Sequence, residues 1–268
     1  MATKATSSIA TIGRFYKTLS LYQPSEDMLT VLAQRVDSGT ATYGEVLKTL
    51  YTSATVEQQS PADELVRMCM LSLDRAPDAP LFAAMMEALR AGRSLVDVAA
   101  FLLDVPGFAL STVGYPQTDA YVGNLLMRTF GQAPAALVVE LAGLIDAGAL
   151  SRAQLLTAAS GLGVVAVAPP GRVETALLYL AGAGREASVA ELATSPVGMD
   201  ARIITALAAG GLSATGGIWR STAKATRSSC MGTCRTTWCG MPRWRATPWG
   251  EKQRSRCSTA WMAGCRAR

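Results

Sequence analysis

At 268 residues, half of them apolar, the chain is long enough to bury a sizeable core in one or two domains. Histidine is absent, which removes the commonest general base and the most frequent zinc ligand and so disfavours many classes of enzyme. The net charge of +5 averages two unlike segments, because residues 1–211 carry 14 Lys/Arg and 19 Asp/Glu whereas residues 212–268 carry 11 Lys/Arg and one carboxylate. This contrast predicts a boundary near residue 212.

The N-terminal residues lack the apolar run of a cleaved secretory signal. No stretch approaches the roughly 20 consecutive apolar residues of a membrane-spanning helix. We therefore expect no transmembrane segment, and export would need a route without a cleaved signal.

Residues 1–211 are predicted to form a helical repeat domain of four units, at about 9–58, 62–113, 119–168 and, less regularly, 171–211. The first three units share a proline followed 14 or 15 residues later by a glycine: Pro24 and Gly39, Pro77 and Gly92, Pro134 and Gly148. In each unit the proline marks the start of the second helix and the glycine marks its end.

Each unit is predicted to contain three short helices with apolar residues at helical spacing. The proline suits the first turn of the second helix, and the glycine suits its C-terminal end. A serine or threonine then lies near the start of the third helix, namely Thr40, Ser94 or Ser151. We predict an all-α fold of tandem three-helix repeats packed into one elongated helical domain, followed by an irregular C-terminal tail.

The middle unit resembles the helical repeat family called domain of unknown function 4214. The positions that correspond to the family pattern are Asp74, Arg75, Pro77, Asp78, Leu89, Gly92 and Ser94, and then Pro106, Gly107 and Phe108. The chain departs from that pattern at Asp74, where the family usually has glycine, and at Gly107, where it has glutamate.

The resemblance implies a cellular context. Such repeats occur in large exported bacterial proteins, including type I secretion substrates and crystalline surface-layer (S-layer) proteins. The alanine-rich body is also similar to the N-terminal helical region that holds some of those layers to lipopolysaccharide. The family lacks a cleaved N-terminal signal, so the implied location is the cell surface or the extracellular space, with a cytoplasmic location as the alternative.

Binding to an anionic surface glycolipid would require basic side chains gathered on one surface of an acidic body. Four basic residues of the first unit are the candidates: Arg14, Lys17, Arg35 and Lys48. Arg14 and Lys17 lie three residues apart and can share a helix face. The alternative for each of the four is an ordinary solvated position.

No catalytic residue, metal site or cofactor is predicted. Asp74 and Asp78 could in principle act as an acid and base pair or bind calcium. We favour a structural role, because Asp78 falls at a helix start, where negative charge is stabilised. The segment 161–171 lacks the spacing of a phosphate-binding loop and is predicted to be a linker.

The tail, residues 212–268, contains all five tryptophans and five of the six cysteines. Its cysteines are separated by 3, 4, 17 and 7 residues, without the paired spacing of a zinc ribbon. Arginine and tryptophan could bind nucleic acid, but no helical or alternating period accompanies them. The composition is typical of a GC-rich gene translated out of frame, so we hypothesise a frameshift near Ser213 and expect a disordered or weakly packed tail.

The resulting hypothesis is a non-enzymatic structural protein of the bacterial cell surface that anchors to glycolipid or associates with itself through helical faces. The main alternative is a cytoplasmic helical interaction or linker module that binds a partner in an apolar groove. A nucleic-acid binder acting through the basic tail is the least favoured alternative.

Overall fold

The computed structural model describes residues 2–56, 60–104, 110 and 114–213. These residues form twelve α-helices and one π-helical turn, and they contain no β-strand. The predicted all-α class is therefore confirmed. Apart from Leu212 and Ser213, the predicted tail lies outside the described residues, and so do the hypotheses on its frame, its order and its cysteines.

The helices fall into four consecutive groups of three. The first group is α1 (Ala2–Leu19), α2 (Glu26–Asp37) and α3 (Tyr43–Val56), and the second is α4 (Ala62–Leu73), α5 (Ala79–Arg90) and α6 (Leu95–Asp104). The third is α7 (Thr118–Phe130), α8 (Ala135–Asp146) and α9 (Arg152–Ser160). The fourth is α10 (Pro170–Leu178), which continues into the π-helical turn (Tyr179–Ala183), α11 (Val189–Ala193) and α12 (Met199–Ala209).

Short polar side chains fix where several helices begin, because they accept hydrogen bonds from backbone N–H groups that no helical carbonyl reaches. Asp78 caps α5 by accepting from the N–H of Leu81 at 2.8 Å. Its carboxylate lies 4.0 Å from Arg75. Ser151 and Gln154 cap α9 reciprocally, each side chain accepting from the other's backbone N–H. Asp78 therefore has the structural role that the sequence favoured.

The start of α3 differs from the prediction. Thr42 rather than Thr40 caps this helix, since its hydroxyl accepts from the N–H of Glu45 at 3.1 Å and the Glu45 carboxylate accepts from the N–H of Thr42 at 2.8 Å. The predicted Thr40 instead shares a hydrogen bond with Ser38 at 2.6 Å. The cap lies three residues after Gly39, as Ser151 lies three residues after Gly148, whereas Thr40 follows Gly39 directly and falls in the loop before α3.

The repeated glycines have the left-handed backbone conformation that the sequence predicts at the ends of second helices. Gly39, Gly92 and Gly148 have φ values of 76°, 85° and 72°, where a side chain would be strained. First helices end in the same way at Gly131, with φ 73°, and at Asp74, with φ 62°. Asp74 is thus the position at which the chain departs from the resembled family, and it adopts the conformation that glycine would favour.

The four units do not stack in chain order. The first unit packs on the fourth through α3 against α12 and α1 against the π-helical turn, and the second packs on the third through α6 against α9 and α4 against α7. Contacts of α4 with α10, and of α1 with α5, join these two pairs. One continuous core runs through all four units. The first and fourth units, which lie at the two ends of the domain sequence, therefore pair with each other, and the second and third units between them form the other pair. We call this arrangement nested.

The predicted linker between the third and fourth units is an irregular segment that closes the end of α7. The backbone N–H groups of Ala166 and Val167 donate to the carbonyls of Thr129 and Arg128, at 2.8 and 3.2 Å. Val165 is fully buried, so this segment also contributes to the core. Among the described helices, none combines the length and the apolar character needed to cross a membrane.

Candidate functional site

The structure places the four predicted basic residues in three different surroundings. Arg14 and Lys17 line one cleft, as expected for residues three apart on a helix. Arg35 is exposed at a separate groove between α2 and α3. Lys48 forms an ion pair with Asp200 of α12 at 2.8 Å. Only the first two residues therefore share a surface.

Arg14 holds the first unit to the fourth. Its Nε donates to the carbonyl of Ala181 at 2.8 Å, and its Nη2 donates to the carbonyl of Gly182 at 2.9 Å. Both carbonyls belong to the π-helical turn, at the end of a helix where the backbone dipole favours a cation. Burial lowers the pKa of the Arg14 guanidinium. A large part of its hydrogen-bonding capacity is thus already used within the protein.

Three further arginines make the same kind of contact between units. Arg90 of α5 donates to the carbonyls of Lys17 and Ser20 at the end of α1. The other two are Arg67, which donates to the carbonyl of Ser160 at 2.6 Å, and Arg128, which donates to that of Met70 at 3.0 Å. The guanidinium groups of Arg67 and Arg90 donate to carbonyls at helix ends that lack a helical partner, whereas the Met70 carbonyl also accepts from the N–H of Asp74. The arginines of the body are therefore largely structural, which their sequence positions did not reveal.

The cationic cleft, as we name it, has a volume of about 770 Å³ and lies between α1, α2, α5 and the π-helical turn. Its charged lining residues are Arg14, Lys17, Arg90 and Glu87, which give three cations to one carboxylate. Its apolar walls include Ile9, Leu29, Phe82 and Leu180. The cleft thus combines a positively charged end with an apolar wall.

Arg90 is largely buried in this cleft, with 9% of its side chain accessible. Its Nη1 lies 3.4 Å from the Glu87 carboxylate, and its Nη2 donates to the two α1 carbonyls. Its Nε is buried without a hydrogen-bond partner among the described residues. An arginine at the last position of a predicted second helix, three residues after a glutamate, is the sequence signal that could have identified it.

A second polar cluster joins α10 to α12. Glu174 and Arg202 form an ion pair there, and Arg202 Nε donates to the Ser195 hydroxyl at 3.1 Å. Burial raises the pKa of Glu174 and that of Asp63 on the neighbouring α4. A carboxyl group with a shifted pKa can mark a catalytic site, but an ion pair that holds helices together shifts the pKa in the same way.

Other reactive groups of the described part are buried or dispersed. Burial raises the pKa of the Cys69 thiol, which disfavours the thiolate needed for nucleophilic attack or metal binding. Across residues 2–56, 60–104, 110 and 114–213, no three His, Cys, Asp or Glu side chains are grouped closely enough to hold a metal ion.

The helix α8 is apolar on all sides, yet it contributes a single buried residue, Ala142. Val139 and Leu144 are 72% and 42% exposed. The exposed residues follow one side of the helix at helical spacing: Ala136, Val139, Glu140, Gly143 and Leu144. A helix of this composition is normally covered on more than one side. We call this stripe the α8 face.

Two similar grooves separate the second and third helices of the first two units. The groove between α2 and α3 has a volume of about 470 Å³ and is lined by Tyr22 and Met28 among others. The groove between α5 and α6 has a volume of about 450 Å³ and is lined by Phe101, which is 55% exposed. The repeat therefore presents a groove at the same position twice, and the first is lined by more polar residues, among them Glu45 and Thr49, than the second.

No protein-family model matches this chain, and neither a curated protein nor a solved structure matches it. The class that the fold itself defines is an all-α protein of nested three-helix units with exposed apolar surface.

Proposed function

We propose that this chain is a non-enzymatic structural protein of the bacterial cell surface or secreted fraction, which assembles by association between copies of its helical repeat domain. The observation that carries the proposal is the α8 face. A surface of this kind is stabilised when apolar side chains leave water.

A second copy of the same face is a suitable partner for α8. The face presents small residues beside Val139 and Leu144, which allow two helices to approach closely; it carries the charge of Glu140, and the exposed Asp146 follows on the same side at the end of α8. Two helices that meet in this way bury apolar surface worth about 25 cal/mol per Å² before the costs of association are counted. A short helix contact gives a weak interface by itself, which suits a protein that assembles through repeated contacts.

The proposed location at the cell surface is supported by the resemblance of the middle unit to repeats of exported bacterial proteins. Anchoring to a surface glycolipid belongs to the same proposal, with Lys17 and Arg35 as the exposed basic side chains that remain available. Fractionation of the source cells tests this part. A strictly cytosolic protein that does not bind outer-membrane glycolipid would refute it.

Self-association is tested by sedimentation equilibrium of the full chain over a range of concentrations. We expect reversible association, weakened at least about ten-fold by Val139→Glu, because a carboxylate cannot be buried at an apolar contact without a partner. The matched control is Val189→Glu on α11, a valine that is 76% exposed but lies outside the α8 face. Equal effects of the two variants, or a monomer at every concentration, would contradict the proposal.

The alternative function is a cytoplasmic interaction or linker module, and the two repeated grooves favour it. A helix of a partner protein could place apolar side chains in such a groove. In that case Phe101→Asp, in the α5–α6 groove, would abolish partner binding and Val139→Glu would leave it unchanged. A cytosolic location together with this mutational pattern would select the alternative.

A further inference from the structure

We infer that the cationic cleft binds a single-chain amphiphilic anion, that is, a molecule with one alkyl chain and a phosphate or carboxylate head. The inference concerns a surface other than the α8 face. It can therefore fail or succeed independently of the proposed self-association.

The charged end of the cleft is suited to an anionic head group. The lining supplies three cations and one carboxylate, which leaves an excess of positive charge in an otherwise acidic domain. Arg90 is nine-tenths buried there, and its Nε has no partner within the described part of the chain. Lys17 is exposed and makes no ion pair with any described residue, so its ammonium group can meet an incoming anion.

The walls of the cleft are suited to an alkyl chain. Ile9 of α1 and Leu29 of α2 are its partly exposed apolar residues, and the buried side chains of Phe82 and Leu180 line it from α5 and from the π-helical turn. Along α5 the lining residues Ala83 and Ala84 are small, which leaves room for a ligand. The volume of about 770 Å³ lies within the range of roughly 300–1,000 Å³ that is typical of sites for small molecules.

Simpler ligands fit the cleft less well. A free inorganic anion would leave the apolar walls in water, and a neutral alkyl compound would bring an apolar chain beside Arg90 and Lys17 without compensating their charge. A head group joined to one chain satisfies both ends. π-Helical turns also occur often at functional sites, and here one forms part of the wall.

Titration calorimetry of the full chain tests the inference with four soluble probes, each used below its micellar concentration. Dodecyl phosphate and laurate are expected to bind. Inorganic phosphate and dodecyl maltoside, which lack the chain and the charge respectively, are expected to bind at least about ten-fold more weakly. Shortening the alkyl chain should weaken binding by about two- to four-fold for each methylene that the cleft buries.

Single substitutions then locate the site. Lys17→Gln should weaken binding of dodecyl phosphate by about three- to five-fold, and Glu87→Gln should strengthen it by about two- to five-fold. Arg93→Gln is the matched control, because it removes an exposed cation from the α5–α6 groove, and it should leave the affinity unchanged. Ala83→Trp fills the cleft and should abolish binding of every probe. Circular dichroism shows whether each variant keeps its helices.

Two results would overturn the inference. The first is equal affinity for dodecyl phosphate and dodecyl maltoside, which would indicate an apolar contact without a site for the anion. The second is equal weakening by Lys17→Gln and Arg93→Gln, which would indicate non-specific attraction to surface charge. Equal affinity for inorganic phosphate and dodecyl phosphate would likewise refute the role of the alkyl chain.

Discussion

Substitution of Gly210 by alanine gives a direct test of the nested packing. Gly210 follows the last turn of α12, where the fourth unit folds back on itself and meets the first. A Cβ atom built at this position would lie 2.5 Å from the carbonyl oxygen of Gly182 and 2.8 Å from the Cα of Ala183. Both atoms belong to the backbone of the π-helical turn, so no side chain can move aside to relieve the overlap.

The cost of this steric overlap can be compared with the stability that alanine adds by restricting the unfolded chain. An ordinary contact between carbon and a carbonyl oxygen is about 3.3–3.6 Å, so the substitution forces the backbones apart by nearly an ångström. Overpacking of this kind costs about 1–3 kcal/mol. Because Gly210 has φ −87°, alanine fits the local backbone, and reduced entropy of the unfolded chain returns about 0.4–1 kcal/mol. The steric contribution is larger, and the expected net loss is about 1–2 kcal/mol.

The assay is thermal unfolding of the full chain, followed by circular dichroism at 222 nm. For a domain of this size, each kcal/mol shifts Tm by about 2–4 °C, so Gly210→Ala should lower it by about 2–8 °C. The matched control is Gly123→Ala inside α7, where the nearest atom lies 4.0 Å away and alanine should raise Tm through its helix propensity. If both substitutions raise Tm, then α12 does not pack closely on the π-helical turn and the reasoning fails.

Two further predictions concern charged side chains. The hydrogen bond from Arg185 lowers the pKa of Glu191 to about 2, so this carboxylate adds stability above its unfolded pKa and loses it as the pH falls from about 4.5 towards 2. Glu191→Gln should therefore lower the free energy of unfolding in urea at pH 7 and have little effect near pH 2. The expected loss at pH 7 is only about 0.5–1 kcal/mol because the ion pair is partly exposed. An equal effect at both pH values would contradict this origin. Arg128→Met should lower the free energy of unfolding by about 0.5–1.5 kcal/mol, because the Met70 carbonyl loses the guanidinium and keeps only the N–H of Asp74, and Arg128→Lys should recover part of the loss. An equal loss on Asp74→Asn, which keeps the hydrogen bond from Arg128 to Met70, would instead assign the effect to the ion pair.

The local features of the fold could be predicted from the sequence because they depend on neighbouring residues. A left-handed backbone at Gly39, Gly92 and Gly148 follows from the absence of a Cβ atom, and the helix start at Asp78 follows from a short side chain that reaches its own backbone. The error at Thr40 arose because the cap lies three residues after Gly39, at Thr42, and Thr40 falls in the loop before it.

Features that depend on distant residues could not be predicted. The sequence shows Arg14 as a positive charge, and only the packing of the fourth unit on the first shows that this charge lies against the carbonyls of Ala181 and Gly182. The same is true of Arg90, whose partners lie 70 and 73 residues earlier in the chain. Composition alone could have drawn attention to α8, since few polar residues interrupt it.

The nested order of the units also has a consequence for how the protein is made. The surface of α3 that α12 covers has no partner until about 150 further residues have been synthesised, which takes on the order of 10–30 s at a synthesis rate of about 5–20 residues per second. During that interval the first unit exposes apolar side chains on the nascent chain, whereas the second and third units can pair as soon as α9 emerges. Folding on the ribosome should therefore begin in the middle of the domain and finish when its two ends meet.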